Sequence, residues 1–196
     1  ADRSHLSYRH PLWKKLVDSE IEFDLVGSLT ENHNGTPDFP AYRGISFDRN
    51  HEGHWGRTAD YILSILPGKL VNYNVDIALI HLGTNDILHQ QQATSGIISE
   101  LKLIIDELRK KNSAVGIILA EPIPANGLDA AISALGAAVK ALALELDTAQ
   151  SRVISVDQAT GFDIAQDRAD WYHPNASGEE KMAQKWFESI QIILEN

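Results

Sequence analysis

The stretch VDIALIHLGTND, residues 75–86, runs almost wholly apolar as far as Leu82 and then breaks at Gly83 into polar residues. An apolar run of strand length without alternation suits a parallel strand covered on both faces. VGIILA, residues 115–120, carries the same signature, and RVISVD, residues 152–157, supplies another strand. Helical patterns lie between them. Ile97, Leu101, Ile104, Ile105 and Leu108 share one helical face, and Ile132, Leu135, Val139, Leu142 and Leu146 recur over a helix at roughly 129–147. Repeated strand-helix units of this length predict an α/β fold: a three-layer, open, mostly parallel sheet with helices on both faces.

Toward the N-terminus, residues 9–18 read as a short helix with Pro11 in its first turn and Leu12, Trp13, Leu16 and Val17 on its apolar stripe. EFDLVG, residues 22–27, is expected to add a strand, giving four in all. From Ser28 to Gly56 the chain is polar and turn-rich, a length at which a loop is either functional or a solvated surface. Thr58 is placed to cap a helix running to about Leu66. The terminal helix is expected after Ser177, with Ser177 and Glu180 as a capping box and Met182, Trp186, Phe187 and Ile190 as its buried stripe.

With 196 residues and 43% hydrophobic composition, a single domain spanning 1–196 is expected. No apolar window approaches about 18 residues, so no helical membrane span is predicted. No signal peptide is visible, but the chain opens with Ala1; if an upstream signal was removed, the protein is extracellular or periplasmic. The charge of -10, from 17 basic and 27 acidic residues, disfavours a nucleic-acid partner and suits a neutral or cationic substrate. The absence of cysteine excludes disulfides, a thiolate nucleophile and a cysteine metal site.

Ligands in such sheets bind at the carboxyl ends of the strands. Three clusters fall there. Gly83 permits a tight exit from the strand, and Asn85 can direct an amide N–H at an oxygen gaining charge; a plain turn with an Asn cap is the alternative. In His51-Glu52-Gly53-His54-Trp55-Gly56, the Gly56 N–H lies near a helix start, where an anion is favoured. His51 and His54 complete no familiar zinc spacing, so no metal is expected, and bonding to the loop backbone is the simpler reading of both. In Asp170-Trp171-Tyr172-His173-Pro174, Asp170 can hold one imidazole nitrogen of His173 while the other faces a substrate.

Together these motifs resemble the GDSL-type serine esterases and lipases, also called SGNH hydrolases. Gly83 to Asp86 match the family's Gly-x-Asn-Asp motif, Asp170 to His173 its catalytic Asp-x-x-His, and Gly56 its oxyanion glycine. The stretch from His51 to Asp60 looks like the branch containing acetyl-xylan esterases and related carbohydrate deacetylases. The resemblance implies a flavodoxin-like sheet and no cofactor. It also implies a base His173 steadied by Asp170, an oxyanion hole of Gly56 and Asn85, and a small acyl ester or acetylated carbohydrate as substrate. His54, Trp55, Trp171 and Tyr172 are the expected pocket residues, the aromatic ones either stacking on a sugar or walling the pocket.

The family normally opens with a strand ending in Gly-Asp-Ser, whose Ser is the nucleophile, and no such block stands here. Ser4 and Ser7 do not follow a strand in the sharp turn that exposes such a hydroxyl. A substitute strand is therefore expected from the chain's own N-terminal or 28–50 region or from another subunit of a homo-oligomer, and the nucleophile itself on an omitted upstream segment or a separate nucleophile-strand peptide. Other function classes consistent with the sequence are a non-catalytic carbohydrate-binding protein and an interaction module, both derived from an esterase.

Overall fold

Residues 5–33, 35 and 37–195 are described by the computed structural model. In chain order the elements are α1 (Arg9–Asp18), α2 (Ala59–Lys69), β1 (Ile77–Ile80), α3 (Thr84–Gln90), α4 (Thr94–Lys111), β2 (Gly116–Glu121), α5 (Asp129–Leu146), β3 (Val153–Asp157) and α6 (Ala176–Leu194). Among the described residues the strands form a parallel sheet in the order β1, β2, β3.

Alternate residues of β2 serve opposite layers. Ile117 and Leu119 pack with α2, α4 and α5, whereas Ile118 and Ala120 pack with α1 and α6. All four are buried, so the sequence of this strand is apolar without alternation. The three-layer α/β architecture expected from the sequence is the one observed. Helix α4 buries the anticipated stripe, and its basic last turn, Arg109 to Lys111, opposes the negative end of the helix dipole. Arg109 also donates to the Leu146 carbonyl at 2.7 Å, tying the end of α4 to the end of α5.

The strand expected at 22–27 does not form. Residues 21–27 make no ladder, and the Leu25 N–H donates to Asp48 Oδ2 at 2.8 Å instead of to a neighbouring strand. A strand needs an adjacent edge, and this segment pairs with none; among the described residues the sheet holds three strands, not four. Among the same residues β1 pairs only with β2, and Ile77, Ala78 and Leu79 remain half-buried.

The start of α6 also departs from expectation. Its cap is Asn175, whose side-chain oxygen accepts from the N–H groups of Ser177 and Gly178 at 2.9 and 3.1 Å. Ser177 turns its hydroxyl to Asp167, and Glu180 pairs with Lys15 at 2.6 Å, so the capping box is not made. At α2, Thr58 holds the cap position but bonds Asp60 through its hydroxyl, and the helix continues to Lys69. Helix α3 went unanticipated because seven residues are too few for a helical period to show.

Candidate active site

Gly83, separated from β1 by His81 and Leu82, caps α3 at φ +104°, and a Cβ there would lie 2.5 Å from Leu135 Cδ2. Only glycine meets both conditions where the chain turns into α3. Asn85 and Asp86, in the first turn of α3, then grip the start of α2. Asn85 Nδ2 donates to the Arg57 carbonyl at 3.0 Å, and fully buried Asp86 accepts the Ala59 N–H through Oδ1 at 2.8 Å. The Asp86 carboxylate thus does the capping that Thr58 was expected to do. Burial pushes its pKa up, and neighbouring Asp60 adds to the shift.

These bonds bring Gly56, at φ +69°, beside Asn85 through the adjoining Arg57. The preceding loop is held by Glu52, which accepts from Ser28 N–H at 2.8 Å, Tyr73 hydroxyl at 2.9 Å and His54 Nε2 at 2.7 Å. Burial alone would raise the Glu52 pKa, but these donors outweigh it and the shift is downward. His51 bonds the loop backbone as expected, its Nε2 3.1 Å from the Glu31 carbonyl and its Nδ1 accepting from Gly53 N–H. His54 instead takes a carboxylate partner. Burial lowers the His51 pKa to about 4.

Asp170 and His173 meet as predicted, with Nδ1 2.8 Å from Oδ2 and 3.0 Å from Oδ1. Asp170 Oδ1 also accepts the N–H groups of Tyr172 and His173, both at 2.8 Å. Partial burial raises the carboxyl pKa, but these bonds and the imidazole prevail and hold it below the ordinary value. Asp170 therefore stays ionised and favours the His173 tautomer that carries hydrogen on Nδ1. The remaining nitrogen, Nε2, then carries the lone pair of the ring.

Trp55 joins the clusters, its ring 6.4 Å from that of His173 and inclined by 12°. Trp55 and Trp171 are 53% and 64% exposed, whereas Trp13 and Trp186 are buried. Tyr172 packs against the core beneath the loop. Ser7 Oγ accepts from Arg9 N–H, and Ser4 lies outside the described residues. Among the described residues no three His, Asp or Glu side chains group to hold a metal.

Sequence reasoning missed what holds the 158–175 loop. Asp167 is fully buried and accepts from Asp163 N–H at 2.7 Å, Lys181 Nζ at 2.6 Å and the Ser177 hydroxyl at 2.7 Å. The Lys181 bond lowers its pKa to about 2 against the opposing effect of burial. Gly178 lets α6 approach this loop: a Cβ there would lie 2.3 Å from the Asp167 carbonyl oxygen. Asn175 ahead of Ala-Ser-Gly was the legible cap signal.

An Asp-held imidazole, an asparagine at the start of α3 and a left-handed glycine are thus drawn from three separate segments. The sequence profile of the GDSL-like Lipase/Acylhydrolase family matches residues 27–181, and the chain belongs to that family. It is similar to a multidomain esterase of Ruminococcus flavefaciens, 28% identical over 87% of this chain; the chain spans 24% of that protein's length. Among solved structures, a carbohydrate esterase family 3 protein from Talaromyces cellulolyticus superimposes with a TM-score of 0.87 at 28% identity, covering 97% of this chain and 92% of its own. A serine-to-alanine mutant of an acetyl esterase with acetate ion also gives 0.87, at 29% identity over 96% of this chain and 92% of that one.

Proposed function

We propose that this protein hydrolyses short acyl esters, with acetyl groups on a carbohydrate as its substrates. The observation that carries the reading is the meeting of three separated segments: His173 held by Asp170, Trp55 beside His173, and Asn85 bonded to the residue after Gly56. His173 removes the proton of the attacking hydroxyl through Nε2 and returns it to the leaving alcohol, while Asp170 stabilises the imidazolium. The oxyanion forms against the Gly56 N–H and the second hydrogen of Asn85 Nδ2. Trp171 offers an exposed face to a sugar ring, while Trp55, half exposed and flanked by His33 and His173, walls the site together with His54 and Tyr172. The acetate in one relative and the carbohydrate esterase class of another support the acyl and alcohol halves of the substrate.

The nucleophile is proposed to arrive on an additional strand. Segment 21–27 makes no ladder, and the outer edge of β1 is unpaired among the described residues, leaving backbone donors and acceptors for such a strand. An upstream portion of the same protein or a separate peptide can supply it. Acetate release from aryl acetates and acetylated xylo-oligosaccharides, combined with intact mass of the same preparation, tests the reading. Release by a preparation containing the added segment supports it. Saturable sugar binding without release from that preparation would reassign the protein as a carbohydrate-binding one.

A further inference from the structure

The loop from Ser28 to Gly56 reaches the site through His33. Its imidazole lies 4.0 Å from the Trp55 ring at an interplanar angle of 2°, and Trp55 is in turn nearly parallel to His173. Asn32, immediately before it, accepts from the Arg9 guanidinium and donates to the His5 carbonyl at 2.8 Å. The loop is anchored again where Leu29 and His51 exchange backbone hydrogen bonds at 2.9 and 2.8 Å. His33 thus stands on a braced backbone, whereas Trp55 is half exposed between Gly53 and Gly56.

We propose that His33 is a positioning residue that acts on the base through Trp55, an inference that rests on His173 being the base of an esterase. Asp170 holds His173 along one edge, and an edge contact alone leaves the ring free to swing about the bonded nitrogen. The Trp55 ring restrains the plane of that swing. His33 keeps Trp55 in its orientation by face-to-face contact, which an aromatic ring without ionisable nitrogen can also make. Orientation of a base acts on turnover more than on ground-state binding.

The test compares His33→Ala and His33→Phe in the full chain by NMR of the His173 ring hydrogens, whose shifts depend on the distance and tilt of the Trp55 ring. His33→Ala is expected to move those signals, and His33→Phe to restore them. In the active preparation, kcat for an aryl acetate is expected to fall about tenfold in the Ala variant with KM within about twofold, and to recover in the Phe variant. Unmoved His173 signals in His33→Ala, failure of Phe to restore them, or a change confined to KM would overturn the proposal. Absence of turnover in the unaltered protein would count against the esterase reading, while the His173 signals would still decide the role of His33.

Discussion

Asn85 Nδ2 lies 3.0 Å from the carbonyl oxygen of Arg57, so one hydrogen of the amide locks the start of α2 to the start of α3. The other hydrogen is the one proposed to meet an oxyanion. Removing one such donor typically costs about 3 kcal/mol of transition-state stabilisation. Asn85→Ala is therefore expected to lower turnover roughly a hundredfold or more, with a circular dichroism spectrum like that of the unaltered protein. Unchanged kcat would remove Asn85 from the mechanism.

Gly83→Ala is expected to damage the fold itself. The substitution combines a left-handed backbone with a Cβ 2.5 Å from Leu135 Cδ2 and 3.2 Å from Ile97 Cγ2. Backbone strain and overpacking each cost about 1–3 kcal/mol. Urea unfolding should report a loss of at least about 2 kcal/mol. A midpoint equal to that of the unaltered protein would refute the packing argument.

Asp167 links pH to the stability of the 158–175 loop. Its folded pKa of about 2 lies below the ordinary carboxylate value, so its contribution is present above that ordinary value and disappears as pH falls through about 2. Asp167→Ala should cost about 3 kcal/mol at neutral pH, because Lys181, Ser177 and the Asp163 N–H all lose their acceptor. The difference from the unaltered protein should shrink in acid. Thermal unfolding of both proteins from neutral pH to pH about 2 checks the sign, and a difference that widens in acid would contradict it.

The geometry of the candidate site was legible in sequence where it is local. Asp170 and His173 lie within one loop and meet as expected, and Gly83 stands where a strand must exit. The sheet was legible through strands buried on both faces, as in β2. The segment at 22–27 misled because its composition favours a strand while pairing depends on a neighbour that sequence pattern does not reveal. Partners distant in sequence were equally hidden: Asp86 on Ala59, and His33 on Trp55. Ser177 and Glu180 had the spacing of a cap, but Asn175 after Arg168 and Gln166 carbonyls had already fixed its amide held the better position.

Trp171, 64% exposed, is positioned by its carbonyl, which accepts from Arg168 Nη1 at 3.0 Å and Asn126 N–H at 3.1 Å. Its side chain is therefore free to stack without holding the loop. Trp171→Ala should raise KM for acetylated xylo-oligosaccharides severalfold, because the C–H face of a sugar ring loses the apolar surface it covers, with little change for a small aryl acetate. Equal effects on both substrates would remove the sugar platform from the account.

The most direct measurement is acetate release by the active preparation containing the nucleophile segment, compared between the unaltered protein and His173→Ala. The base accounts for a loss of roughly ten-thousandfold or more, with the fold retained and the same intact mass apart from the substitution. Robust acetate release that survives His173→Ala would contradict the assignment of this site.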